Sequence, residues 1–131
     1  MSEIKVDTLT GKTSAGDITV TSEGGAATMQ LQQGLAKAWA NVNASATYSI
    51  RNSLNISSVS DLGTGLLTNN FASNMSAADY SAMCLSQLNG DFGQRFVTDP
   101  TASAWTYEIK DSAPANIDRA WVHSGILGDL A

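Results

Sequence analysis

The sequence predicts an all-β protein: an intertwined N-terminal β-arm over residues 1–25, then a jelly-roll-like β-sandwich over residues 26–131, assembled as a trimer. Three observations lead there. Short stretches with a branched or aromatic residue at every second position recur along the chain, among them "ATYSIRN", "WTYEIKD" and "RAWVHSGILG". Gly, Asn and Ser punctuate them at regular intervals, as in sandwiches and jelly rolls. Helical spacing of apolar residues occurs in one segment alone.

The arm comes first. Glu3–Leu9 places Ile4 and Val6 on one face, and Asp17–Thr21 places Ile18 and Val20 on one face, with a glycine turn between them. Two strands this short are marginal in water on their own. Three copies wound around one axis would give every strand a neighbour and bury Ile4, Val6, Ile18 and Val20 together. Gly24-Gly25 then lets the chain turn into the second region. In "AATMQLQQGLAKAW", residues 26–39, Leu31, Leu35, Ala38 and Trp39 share a helical face, while Gly34 opposes it. The reading is a short helix followed by a strand from about Ala36.

Beyond Trp39 the pattern is strand after strand. Tyr48 and Ile50 share a face, Leu54 and Ile56 follow, and Val59 falls out of phase as a bulge would allow. Leu67 and Phe71 mark the next strand. Tyr80, Ala82 and Cys84 then alternate with Met83 and Leu85, and Trp105, Tyr107 and Ile109 share a face. In the closing stretch Ala120, Val122, Ser124 and Ile126 fall on one side and Trp121, His123 and Leu127 on the other. The first set, small and branched, suits a sandwich interior. The second mixes a large aromatic, a titratable ring and a leucine, a composition common where subunits meet. Trp121 and His123 are therefore placed near a subunit boundary or at a partly covered surface.

Composition narrows the function. The 131 residues are 43% apolar and only 15% charged, with net charge −5. No two of the seven cations are adjacent, so no nucleic-acid groove is visible. No apolar run reaches the length of a membrane span, and the acidic, polar start "MSEIKVD" is unlike a secretory leader. Cys84 is the sole cysteine, so no disulfide forms within the chain.

Chemistry-bearing motifs are weak. Gly11-Lys12-Thr13 is the tail of a phosphate loop, but the first glycine of that motif would be residue 6, which is Val6, and "DITVT" follows where a helix should. His123 and Cys84 are the only pair able to act as base and nucleophile, yet Cys84 alternates like a small core residue. One Cys and one His do not make a zinc set, and Asp91 in "NGDFG" reads as a turn aspartate rather than a calcium ligand. Trp39, Trp105 and Trp121 would make a sugar platform if they were brought together. The expectation is a non-enzyme without metal or cofactor.

The blocks "IKVDTLTGKTSAGDITVTSEGG", "LQQGLAKAWANVN", "SIRNSLNISSVSDLGTGLLTNNFASNMSAADY" and "GILGDLA" resemble small virion proteins and fibre-end modules of tailed bacteriophages, notably marine ones. The likeness covers residues 3–92 and 120–131 and is most specific at "LQQGLAKAW". Asn52 and Leu54 stand where Asp and Phe are usual, and Leu66-Leu67 replaces a more polar strand start. The resemblance implies a trimeric all-β module in the virion, bound to capsid or tail proteins, with no catalytic residues to carry over. Two functions follow as expectations: capsid decoration or a short appendage, and alternatively a receptor-binding module that holds a host-surface glycan.

Overall fold

The computed structural model describes residues 3–14, 18–45, 47–87 and 92–131; Asp17 and Asp91, each used in the reading above, lie outside them. The chain divides into two compact units, Met1–Leu35 and Ala36–Ala131. No helix occurs among the described residues.

In the first unit, β1 (Thr19–Thr21) pairs antiparallel with β2 (Thr28–Gln30), so that Val20 lies opposite Met29. Gly24-Gly25 sits in the turn of this hairpin, with Gly25 at φ 72° and its N–H donating to the Ser22 carbonyl. Residues 3–9 form no strand in the single chain, and β1 takes β2 as its neighbour. The reason is proximity. A six-residue connection brings 28–30 back onto 19–21 at small loop entropy. The expected helix is corrected. Gly34 N–H donates to Leu31 O and Leu35 N–H to Gln32 O, which makes a single tight turn. Gly34 weakens any longer helix by about 1 kcal/mol, and the chain is extended from Ala36 onward, where a strand was expected.

The second unit holds two four-stranded antiparallel sheets. Its strands are β3 (Ala36–Asn43), β4 (Ser49–Leu54), β5 (Ile56–Gly63), β6 (Leu66–Phe71), β7 (Ser81–Ser86), β8 (Phe92–Phe96), β9 (Ala104–Lys110) and β10 (Val122–Leu127). One sheet runs β4-β3-β10-β7 and the other β5-β6-β9-β8. The β3–β4, β5–β6 and β8–β9 connections each stay within one sheet. The other four connections, β4–β5, β6–β7, β7–β8 and β9–β10, pass from one sheet to the other, which makes the two sheets faces of one β-sandwich. Strand periodicity reports which face a residue takes and carries no information on which strands become neighbours.

The shortest crossing between the sheets is made at one residue. Asn55, between β4 and β5, adopts φ 54°, a left-handed conformation that Asn tolerates. Its carboxamide clasps Ser73: Nδ2 donates to Ser73 O at 3.0 Å, and Oδ1 accepts from Ser73 N–H at 2.6 Å. The bulge expected near Val59 is present as a register shift between Ile56 and Ser58.

The inner faces of the two sheets meet in one core. Ala38, Ala40 and Val42 come from β3 and Val122 and Ile126 from β10; Leu67, Phe71, Trp105, Tyr107 and Ile109 face them from the second sheet. The core has a polar centre. Asn69 is fully buried, its Nδ2 donates to Ser124 Oγ at 2.8 Å across the sheets, and its Oδ1 accepts from the Tyr107 hydroxyl at 3.4 Å.

Candidate interaction surface

The alternation that buries Val122, Ser124 and Ile126 turns Trp121, His123 and Leu127 to the outside of the β4-β3-β10-β7 sheet. The two rings stack, with centroids 6.2 Å apart and planes 13° from parallel. Arg51 completes the group. β4 bulges between the residues opposite Asn41 and Val42, and the Arg51 guanidinium lies 4.0 Å over the Trp121 ring, with one N–H donated to the Ala120 carbonyl. Trp121 keeps 42% of its surface exposed. Arg51 was missed in the sequence because only the bulge brings it beside Trp121.

Next to this group lies an apolar strip. Strand β7 presents Met83 and Leu85 outward at 53% and 69% exposure, opposite Gly125 and His123 of β10. Leu54 of β4 pairs with Trp39 of β3 on the same sheet. The sequence showed the alternation of Met83 and Leu85; it did not show that the strand carrying them stands at a sheet edge.

The first unit holds the remaining candidate residues. Ile4 is 84% exposed and Val6 is exposed beside it, both outside any strand. Ile18 is half-buried, its carbonyl accepting from Leu31 N–H at 2.8 Å, and Val20 is exposed on β1. The four thus share no common cluster in the single chain.

The fold separates Cys84 from His123. Cys84 faces inward opposite Ser124, whereas His123 lies outward opposite Leu85, so the two point to opposite sides of their sheet. Burial pushes the Cys84 thiol up to about 12, which leaves it a core residue. Trp105 is in the core, Trp39 lies opposite Gly125, and Trp121 precedes β10, so the three tryptophans do not form one platform. Residues 12–14 are bends, and the next regular element is a strand rather than a phosphate-binding helix. Among the described residues no three His, Cys, Asp or Glu side chains converge on a common point.

A second polar node is structural. Asp118 Oδ1 accepts from the Tyr48 hydroxyl at 2.8 Å and from Gly65 N–H at 2.7 Å. Burial, and then Asp118, hold that hydroxyl protonated well above the usual tyrosine range.

Compared with protein-family models, curated proteins and solved structures, the chain matches none.

Proposed function

We propose that this protein is a structural module of a tailed-bacteriophage virion, a homotrimer that decorates the capsid or forms a short appendage and is assembled in the host cytoplasm. The supporting observation is apolar surface left uncovered in the single chain: Ile4 and Val6 on a strand-free segment, and Met83 and Leu85 on an edge strand. Exposed apolar residues grouped in this way mark contact sites. The low charge favours close contact between copies, because burying an unpaired ion is costly. The resemblance of the "LQQGLAKAW" and "GILGDLA" blocks to phage virion modules supplies the setting. Nothing in the proposed role calls for a nucleic acid, a membrane or a cofactor.

Sedimentation of the full chain at micromolar concentration tests the trimer, and a monomer there overturns it. Removal of residues 1–22 is expected to leave the sandwich folded and to abolish incorporation into particles. Copy number per particle separates the locations: hundreds indicate capsid decoration, a few trimers indicate the tail.

A second reading, glycan recognition, draws on the Arg51–Trp121–His123 group and on Asn41 and Asn52, which lie in register beside His123. Screening the protein against host-surface glycans tests it, with Trp121→Ala as the control that must lose any signal.

A further inference from the structure

We propose that residues Glu3–Leu9 of one copy add as an extra strand to the open edge of β7 in a neighbouring copy, with Ile4 and Val6 lying beside Met83 and Leu85. This rests on the assembly reading above and names the surface that assembly uses.

The argument starts from the edges of the two sheets. An edge strand leaves a row of unpaired N–H and C=O groups, and proteins guard such edges with charges, prolines, bulges or shortness. Three of the four edges in the sandwich are guarded. β4 carries Arg51 and a register shift against β3. β5 carries Asp61 and register shifts at both ends. β8 includes Arg95 and pairs irregularly with β9 between Phe92 and Arg95. The strands of the β1–β2 hairpin are only three residues each.

β7 has none of these devices. Its sequence is SAMCLS, without a charge or a proline. It runs in unbroken register with β10 over its whole length, and among the described residues β10 is the strand it pairs with. Its two largest side chains, Met83 and Leu85, are more than half exposed. This is the edge on which an added strand would find a straight ladder and an apolar flank.

The same chain contains a segment of matching form. Glu3–Leu9 alternates charged and apolar residues over Glu3–Asp7, is about as long as the six residues of β7, and forms no strand in the single chain. Ile4 and Val6 are two residues apart, the stride that separates Met83 and Leu85. Side by side on one face, the four make cross-strand apolar pairs, while Glu3, Lys5 and Asp7 take the opposite face, at the open margin of the sheet. Backbone bonding provides affinity and the alternating side chains provide register, as in other strand-addition contacts. Each copy donates its segment and offers its β7, so the contact is head-to-tail and closes into a ring when the rotation allows. A trimer is one such ring.

Disulfide trapping in the full chain tests the proposal. A chain carrying Val6→Cys is mixed with one carrying Leu85→Cys and oxidised mildly. The expected product is a mixed disulfide dimer, absent from the unsubstituted protein, whose only thiol, Cys84, is buried. Pairing Ile4→Cys with Met83→Cys covers the neighbouring register. Both β7 positions are exposed, so folding tolerates the changes, and an unchanged melting temperature of the dissociated chain checks this. Guarding the edge with Met83→Lys and Leu85→Lys together is expected to eliminate the oligomer while the sandwich stays folded. No mixed disulfide from either pair, or an oligomer that survives the double lysine variant, overturns strand addition at β7. If removing residues 1–22 still abolishes the oligomer in that case, the arm assembles on a different surface and the assembly reading stands. An oligomer that survives the removal overturns the arm's role altogether.

Discussion

Gly65 is closely enclosed by backbone. It sits at φ +64°, and a Cβ there would lie 2.6 Å from both Ile109 O and Ile117 N. Its carbonyl accepts from Ile109 N–H at 2.7 Å, and its own N–H is held by Asp118. Gly65→Ala therefore combines left-handed strain with backbone overlap and is expected to cost about 3 kcal/mol. The urea midpoint reads this directly, and an unchanged midpoint would refute the crowding. Ser124 is the second sensitive position. Ser124→Ala leaves the buried Asn69 amide without the acceptor it has at 2.8 Å, at a cost of about 1–3 kcal/mol for an unsatisfied buried group. Double substitution of Ser124→Ala with Asn69→Leu should recover part of that loss; if the two losses simply add, the hydrogen bond is not the cause. Neither role is legible in the sequence. Asn69 and Ser124 stand 55 positions apart, and an inward-facing Asn is recognised only once its partner is known.

At the scale of elements, the two units differ in what supports them. The β1–β2 hairpin has three-residue strands and exposed side chains at Val20 and Met29, and such a hairpin is marginal alone. The sandwich has a core drawn from both of its sheets. A peptide of residues 18–35 is thus expected to be unstructured by circular dichroism, and residues 36–131 alone are expected to melt at the temperature of the full chain measured under dissociating conditions. A large fall in that temperature would mean that residues 1–35 contribute to the stability of the sandwich. Periodicity was a good guide to the strands at 66–71, 104–110 and 122–127, where one face is buried and the other is not. It failed at residues 26–39, because a turn and the start of a strand together mimic helical spacing. At residues 3–9 alternation is present, yet no strand forms in the single chain.

For the whole molecule, the buried hydroxyls and thiol make stability depend on alkaline pH. Burial raises the Cys84 thiol from 9.0 to about 12 and the Tyr80 hydroxyl from 10.0 to about 12, and it raises Tyr107 well above its ordinary value. In each case the unfolded chain releases its proton first. Stability is therefore intact below about pH 9 and falls as pH rises toward 12. Urea midpoints at pH 7, 9 and 11 test this: the expected order is equal at the first two and lower at the third, with Cys84→Ala showing a smaller drop. A midpoint that stays level to pH 11 would show that these groups ionise as readily in the folded state. The thiol should likewise resist alkylation at pH 8 until the protein unfolds, since the thiolate is the reactive form.

The sequence by itself determined that the chain is all-β and which residues of several strands face the core. Those properties follow from alternation, and a pleated strand half-buried in a sandwich has no other way to segregate its side chains. Val122 and Ile126 were placed inward on that ground, and Trp105, Tyr107 and Ile109 on one common face; all five are buried. The sequence also placed Trp121 and His123 together on the outward side, where the structure stacks them. Tertiary structure alone decided which strands are neighbours, and with that everything depending on neighbours: the β4-β3-β10-β7 order, the hairpin at 19–30, and the Asn69–Ser124 bond. It also decided that Arg51 lies over Trp121 and that β7 stands at an unguarded edge. Strand pairing is non-local, and its choice is made by how whole faces pack rather than by any single stretch, so the order of strands in a sheet is written in the packing of the core and not in the period of each strand.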